Sequence, residues 1–294
     1  MLDPQPPTTN PQRPVAIVTD STACIPLDVA AGHGIEIVPV HIIFGGRTYA
    51  DSLTTDTAEF YDRLRTSTDR PTTAAPSPGM YIEAIGRASR TADSVLVITV
   101  SAQFSAMYDS ARAAIDAVHA ESPALDIRLM DSRNAAMAQG FVVLEAARAA
   151  QRGSTIDEAV ACAEEMTGRV TLLAMLDTLT YLARSGRVPR VAAWAAGVLQ
   201  VKPVVRFSAS DIKLVARTRP KALDRMAAIF AESVAGRRVH LAVHHANVPA
   251  DAAYLLAAAE RTADIVESYA TEFTQVMGVH TGPGLAALAW WCEE

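Results

Sequence analysis

The chain has 294 residues, of which 50% are hydrophobic and 20% charged, a soluble globular composition with room for two domains of ordinary size. Its net charge is −6 and its 26 Lys and Arg residues are scattered rather than clustered, which excludes an electrostatic footprint for nucleic acid. Three widely spaced cysteines, Cys24, Cys162 and Cys292, with no C-x-x-C, argue against a disulfide framework and a structural zinc site, and no apolar run reaches the roughly 20 residues of a membrane helix.

Residues Met1 to Pro14 are rich in Pro, Thr, Asn and Gln and lack the apolar core of a signal peptide, so they read as a disordered leader on a cytoplasmic protein. Val15 to Thr19 is an unbroken apolar run and reads as a buried parallel strand ending in Asp20-Ser21-Thr22. A short helix closing at Gly32 and Gly34 leads to a strand over Ile35 to Phe44, a turn at Gly45-Gly46, and a helix capped by Asp56 and Glu59. The polar stretch Arg70 to Gly79 reads as a loop, with Ser77 as N-cap and Pro78 opening a helix to about Arg90. Ser94 to Val100 is the next strand, ending at Ser101. A helix over Ser105 to Glu121 and a strand over Ile127 to Met130, ending in Asp131-Ser132, follow.

Three of these strands end in polar residues, which in a doubly wound sheet places them on one edge, where ligands bind. Helices over Ala136 to Gln151 and Thr155 to Thr167 come next. From Val170 the pattern changes to closely spaced strands at Val170 to Met175, Val201 to Phe207 and Ile212 to Arg217, the last two joined by a Ser-Ala-Ser-Asp turn, which implies antiparallel pairing. A helix (Pro220 to Val234), strand (Val239 to His244), helix (Ala250 to Ala263) and strand (Ile265 to Ala270) complete that half. The expected fold class is α/β, with a leader over 1–14, a doubly wound parallel-sheet domain over 15–168, and an α+β domain with a mixed sheet over 169–294.

At the C-terminal end, Gln275 to Val279 reads as a short strand delivering His280 and Thr281 to Gly282-Pro283-Gly284, and the apolar run Leu285 to Trp291 reads as a helix. Backbone amides at such a helix opening would attract a carboxylate or phosphate. Gly282, Gly284 and Ala287 also satisfy G-x-G-x-x-A, but the βαβ unit that a dinucleotide fingerprint requires does not surround them. Neither a Walker A sequence nor a G-x-S-x-G elbow is present. Asp20 sits where phosphatases place a nucleophilic aspartate, yet their partner acid two residues on is Thr22 here. His240, His244 and His245 invite a metal reading, but on a strand the first two share a face that the third does not, and no acidic residue accompanies them; core or interdomain packing is the better account. Arg187, after a short apolar helix, is suited to hold a carboxylate in its fork. Thr73, Ser77, Ser101 and Ser105 are hydroxyls at strand and helix ends, each ordinary alone and notable together.

Several segments in this order resemble the DegV family, whose better understood members are fatty acid-binding subunits of bacterial fatty acid kinase. They are Thr19-Asp20-Ser21-Thr22, Thr73-Ala-Ala-Pro-Ser-Pro-Gly79, Val100 to Ala111, Asp131-Ser132, Leu179 to Arg187, Val201-Lys-Pro-Val204 and His280-Thr-Gly-Pro-Gly284, so the resemblance covers the chain from Val15 onward. It implies a two-domain protein that holds one long-chain fatty acid in a tunnel between its domains and needs no other cofactor. Thr73 and Ser105 would bond the carboxylate with His280 and Arg187 close by, supported by the loops of Asp20, Ser21, Ser77, Ser101, Thr281 and Gly282. It also implies that catalysis lies in a partner, an ATP-binding kinase subunit that phosphorylates the presented carboxylate for phospholipid synthesis. There are departures from the family pattern. Its Ser-Gly-Thr is Ser105-Ala106-Met107 here, its Thr-Ser-Gln-Pro-Ser is Thr73-Ala-Ala-Pro-Ser77, and its Gly-Gly-Arg is Ser185-Gly186-Arg187, which puts chain-length preference and kinase coupling in question. Two other readings stay open from sequence: a free-standing hydrolase or phosphotransferase acting on a small anion at His280, Arg187 and Asp20, and a lipid sensor without a kinase.

Overall fold

The computed structural model describes residues 14–51, 57–187, 201–207 and 211–294. The expected leader up to residue 13, the Asp56 cap and the turn at 208–210 lie outside the described residues.

Strands β1 (Val15–Asp20), β2 (Ile35–Val38), β6 (Ser94–Thr99) and β7 (Asp126–Asp131) form a four-stranded sheet in the order β2-β1-β6-β7, parallel throughout. Parallel neighbours require crossover connections. They are supplied by α1 (Leu27–Gly32), α3 (Pro78–Ala88) and α4 (Met107–Glu121). The expected strand over Ile35 to Phe44 is broken in two at Pro39: β3 (His41–Phe44) leaves the parallel sheet and pairs antiparallel with β4 (Arg47–Ala50) and β5 (Thr72–Ala74). Proline has no amide to donate to a ladder, so the break falls there. Gly45 (φ 60°) and Gly46 (φ 71°) make the two-residue hairpin turn, both in the left-handed region that a type I′ turn requires. The stretch read as a polar loop therefore contains a strand, and it is β5 that carries Thr73.

The second sheet has six strands in the order β10-β9-β8-β13-β11-β12: β8 (Thr171–Met175), β9 (Lys202–Arg206), β10 (Asp211–Ala216), β11 (Arg238–His245), β12 (Asp264–Glu272) and β13 (Ala286–Cys292). Only β11 and β12 pair in parallel; the other pairings are antiparallel, giving the mixed sheet expected of this half. Two short terminal elements are the reverse of the expectation: Gln275–Thr281 is a helix, and the apolar run beyond Gly284 is the strand β13.

Alternate residues of the strands feed separate cores. In β1, Val15 and Ile17 face one cluster and Val18 another; in β13, Ala287, Ala289 and Trp291 face one while Ala286, Leu288 and Trp290 face another. The shared cluster lies between the two sheets and is filled by α5 (Ala136–Gln151) and α6 (Ile156–Arg169). Helices α3 and α4 cover the outer face of the parallel sheet; α8 (Arg219–Val234) and α9 (Pro249–Glu260) cover the outer face of the mixed sheet. The layers thus run helix, sheet, helix, sheet, helix. Helix α5 is apolar around nearly its whole circumference, the pattern of a helix buried on all sides.

The start of α5 is held by one of the three histidines first considered as a metal cluster. His244 is fully buried; its Nε2 accepts the Met137 amide at 3.2 Å and its Nδ1 lies 2.5 Å from Thr271 Oγ1. The residue before Met137, Ala136, has a left-handed φ of 52°, which costs a residue with a Cβ about 1–2 kcal/mol. His240 stacks on Trp291 at 3.9 Å, with Nδ1 2.6 Å from Glu267 and Nε2 3.2 Å from Glu293, and His245 Nδ1 lies 3.7 Å from Glu272. The sequence expectation that no acid accompanies these histidines is corrected: strand pairing brings the carboxylates from remote positions. Among the described residues no cluster of His, Cys, Asp and Glu is arranged to hold a metal, and no helix is long and apolar enough to cross a membrane.

Burial, with the charge of His245 a lesser cause, lowers the His244 pKa to about 3 from its ordinary 6.5. Between those values the unfolded chain binds the extra proton and the folded chain does not, so this residue's contribution is constant above about pH 6.5 and is lost as pH falls toward 3, by at most about 1.4 kcal/mol per pH unit. Denaturant titrations at pH 7.5 and 5.0 are expected to show the wild type losing more stability than His244→Gln, whose amide can keep both bonds without titrating. Equal losses would contradict this role.

Candidate functional site

A narrow cleft with a cavity volume of about 80 Å³ opens between the two halves. Its wall is mostly apolar: Val40, Val100, Phe104, Met107, Ala135, Leu182, Phe207, Val276 and Met277. The polar members are Thr22, Thr73, Ser105, Arg187, His280 and Thr281. Segments distant in sequence meet here, among them β5, the loop between β6 and α4, α7 (Thr180–Ser185) with its C-terminal end, and α10 (Gln275–Thr281). All four proposed carboxylate contacts, Thr73, Ser105, His280 and Arg187, line this one cleft, and Thr281 does too. Thr73, Arg187 and His280 also border a broader polar depression shared with Arg65, Arg70 and Arg184.

Thr73 Oγ1 and His280 Nε2 are 2.9 Å apart, a hydrogen bond between β5 and α10. Burial, with the nearby Arg187 charge as the lesser cause, lowers the His280 pKa to about 4, so the imidazole is neutral at pH 7. Its Nδ1 is buried without a partner among the described residues. The Ser105 hydroxyl has no side-chain hydrogen bond there either, which leaves it free to face a ligand. Arg187 is exposed, its backbone following the left-handed Gly186 (φ 68°), and its guanidinium donates to the Ser185 carbonyl at 2.7 Å.

The supporting residues divide. Asp20, Ser21, Ser77, Ser101 and Gly282 are not in the cleft wall. Asp20 is fully buried beneath it: Oδ2 accepts from the Val100 amide at 2.9 Å and from Gln139 Nε2 at 3.2 Å, and Oδ1 from the Thr22 amide at 3.1 Å and the Thr22 hydroxyl. Burial raises its pKa and these bonds oppose the rise. Both oxygens are engaged in tying β1 to β6 and α5. Ser101 Oγ accepts the Gln103 amide at 3.3 Å, and its backbone N–H donates to Asn134 at 2.9 Å. Ser77 stands at the N-cap position of α3, but its hydroxyl makes no capping bond.

The anion pocket expected at Gly282-Pro283-Gly284 is not formed. Beyond Gly284 runs a strand rather than a helix, and the two glycine amides are already paired, Gly282 to the Gly278 carbonyl and Gly284 to the Ala246 carbonyl, each at 2.8 Å. These glycines serve close packing: a Cβ on Gly282 would lie 2.3 Å from the Tyr181 ring, one on Gly284 2.9 Å from Asp177 Cβ, and one on Gly278 2.5 Å from the Tyr61 ring. Tyr61, fully buried in α2 (Thr57–Thr66), donates to the Phe273 carbonyl at 3.1 Å just before α10. Apolar cleft residues such as Phe104, Met107 and Phe207 carry no mark as wall residues in the sequence, since in one dimension they look like any core residue. Met107, which replaces a hydroxyl of the family pattern, is buried in the cleft wall.

Comparison with known proteins agrees with this architecture. Residues 14–293 match the model of the DegV family, described as uncharacterised. A DegV domain-containing protein of Streptomyces coelicolor is 35% identical over 279 residues, which cover 93% of this chain and 96% of that one. Protein DegV of Bacillus subtilis is 31% identical over 283 residues, 94% of this chain and 98% of that protein. The crystal structure of DegV from Bacillus subtilis, described as a fatty acid binding protein, superposes with a TM-score of 0.81 at 31% identity, covering 96% of this chain and all (100%) of that one. A Thermus thermophilus DegV family structure, described for its fatty acid binding, has a TM-score of 0.86 at 24% identity over 95% of this chain and 100% of its own, a likeness of fold.

Gly278→Ala is expected to displace α10 from Tyr61 and to lower stability by about 1–3 kcal/mol, the usual range for overpacking a filled site. A thermal melt measures it. An unchanged midpoint would show that Tyr61 has room to move away.

Proposed function

The chain belongs to the DegV family, and on that premise we propose that it binds one long-chain fatty acid in the cleft between its sheets and presents the carboxylate to a separate ATP-dependent kinase subunit. The carboxylate lies against Thr73 and Ser105, with His280 and Arg187 beside it, and the acyl chain lies against the apolar wall. The observation that carries this reading is the cleft itself: an apolar cavity bordered by the Thr73–His280 hydrogen bond, with Arg187 at the edge shared with solvent. The Bacillus subtilis relative described as a fatty acid binding protein supports the ligand class.

The energetics fit a carrier. Burying about 14 methylenes at about 0.8 kcal/mol each gives roughly 11 kcal/mol of gross driving force before the costs of association. The tail dominates affinity and the headgroup sets orientation. Neutral hydroxyl donors, a neutral imidazole and a single guanidinium orient a carboxylate while leaving its oxygens reactive, as a phosphoryl acceptor must be. A small-anion enzyme would need a compact polar cleft with a free base beside its nucleophile. Here the two buried acids nearby among the described residues, Asp20 and Asp51, have both oxygens bonded and stand outside the cleft wall. The partner, ATP-dependent phosphorylation and delivery of acyl phosphate to phospholipid synthesis in the cytoplasm belong to this proposal through the family resemblance.

Native mass spectrometry of the purified protein is expected to show one fatty acid per chain, identified after extraction. An empty protein that takes up neither palmitate nor oleate would sink the reading. Thr73→Ala is expected to weaken palmitate binding by about 10- to 100-fold, the equivalent of one hydrogen bond to a charged group. It should also slow acyl phosphate formation when a fatty acid kinase subunit and ATP are supplied. Wild type with ATP but no kinase subunit should form none.

A further inference from the structure

The helix that carries His280 is held at its other end by a carboxyl group from a distant part of the chain. Asp51, just after β4, is 4% exposed and is not part of the cleft wall. Its Oδ1 accepts the backbone N–H of Val276, in the first turn of α10, at 3.0 Å. Its Oδ2 accepts the Ser21 hydroxyl at 2.7 Å, and Ser21 Oγ in turn accepts the Val40 amide at 3.2 Å. The Asp51 amide donates to the Val40 carbonyl at 2.7 Å, which closes the circuit. Thr274, at the N-cap position of this helix, makes no capping bond with its side chain, so the cap is supplied from 225 residues away. Val40 and Val276, the two residues whose backbones Asp51 grips, both line the cleft.

His280 stands four residues, about one helical turn, beyond Val276. An α-helix of seven residues is rigid over that distance, so whatever fixes its first turn fixes the position of its last. With Tyr61 pressed against Gly278 on one side and Asp51 capping the first turn, the helix has little freedom to slide or rotate. We propose that Asp51 is a positioning residue for headgroup recognition: it anchors α10 to the Ser21 loop and thereby sets His280 against Thr73. This rests on the fatty acid reading above and deepens it. It also gives Ser21 a role one step removed from the ligand, as the hydroxyl that orients Asp51. Asp51 touches no reacting atom and is not catalytic.

The test separates headgroup from tail. Asp51→Asn keeps the size of the side chain but turns one acceptor into a donor facing either the Val276 N–H or the Ser21 hydroxyl. Binding of palmitate and of hexadecanol, which share a tail, is measured for wild type and variant, together with the His280 imidazole resonances by NMR. The variant is expected to lose about fivefold in palmitate affinity, in line with one weakened hydrogen bond. Hexadecanol affinity should stay level, and the His280 resonances should shift. Equal losses for both ligands, or no loss for either, would overturn the proposal. Should Asp51→Asn fail to fold, Ser21→Ala removes only the donor on Oδ2 and is expected to reduce palmitate binding in the same selective way by a smaller factor; an unchanged preference for acid over alcohol there would overturn it equally. Wild type that takes up neither ligand contradicts the fatty acid reading instead, and the His280 resonances then test the link to Asp51 alone.

Discussion

Helix α5 is the constraint from which the rest of the structure follows. Twelve of its residues are buried, because one side faces the parallel sheet and the other the mixed sheet. A helix with no polar face cannot sit on a surface without exposing it, so the two sheets must close on it together. The strand edges are brought face to face by that closure, and the cleft is what remains between them above the start of the helix, where Ala135 joins its wall. Polar side chains from both sides fasten this end: His244 accepts the Met137 amide, and Gln139 donates to Asp20.

The buried polar groups near the cleft divide into those that hold the scaffold and those left for a ligand. Asp20 and Asp51 are saturated with hydrogen bonds, as buried carboxyl groups must be to offset desolvation. His280 Nδ1 is not. An unsatisfied buried polar atom costs free energy in the empty protein, and a ligand carboxyl group that pairs with such atoms recovers it. Among the described residues the same cleft presents arginine only at its rim, where Arg187 joins Arg65, Arg70 and Arg184 around the polar depression. On the proposed reading, charge meets the fatty acid at the solvent edge and apolar surface meets it inside.

Much of the fold was legible because strand burial leaves a one-dimensional trace. The unbroken apolar runs at Val15 to Thr19 and Ser94 to Val100 are parallel strands covered on both faces, and the switch to closely spaced strands after Val170 marks the mixed sheet. The four candidate carboxylate contacts, reached through family resemblance, do line one cleft. The errors cluster where periodicity is silent. Leu285 to Trp291 is a short apolar run, and such a run does not distinguish a buried helix from a central strand; β13 is a strand because β8 and β11 flank it on both edges. Gln275 to Thr281 is a helix because Gly278 lets it lie against Tyr61, a contact across more than 200 residues. The acids that partner His240 and the carboxyl that caps α10 were unreadable for the same reason.

Sequence by itself determined the class of the protein, the order of most elements, the polar ends of the parallel strands and the family to which these belong, since each of these is written in local hydrophobic period or in short motifs. Tertiary structure alone decided which of those polar residues line the cleft. Asp20 and Thr73 are equally plausible site residues in one dimension, yet Asp20 is turned inward to bond Val100 and Gln139 while Thr73 meets His280 at the cleft. The difference is one of direction in space, and it is set by burial and by hydrogen-bond partners that lie dozens to hundreds of residues away.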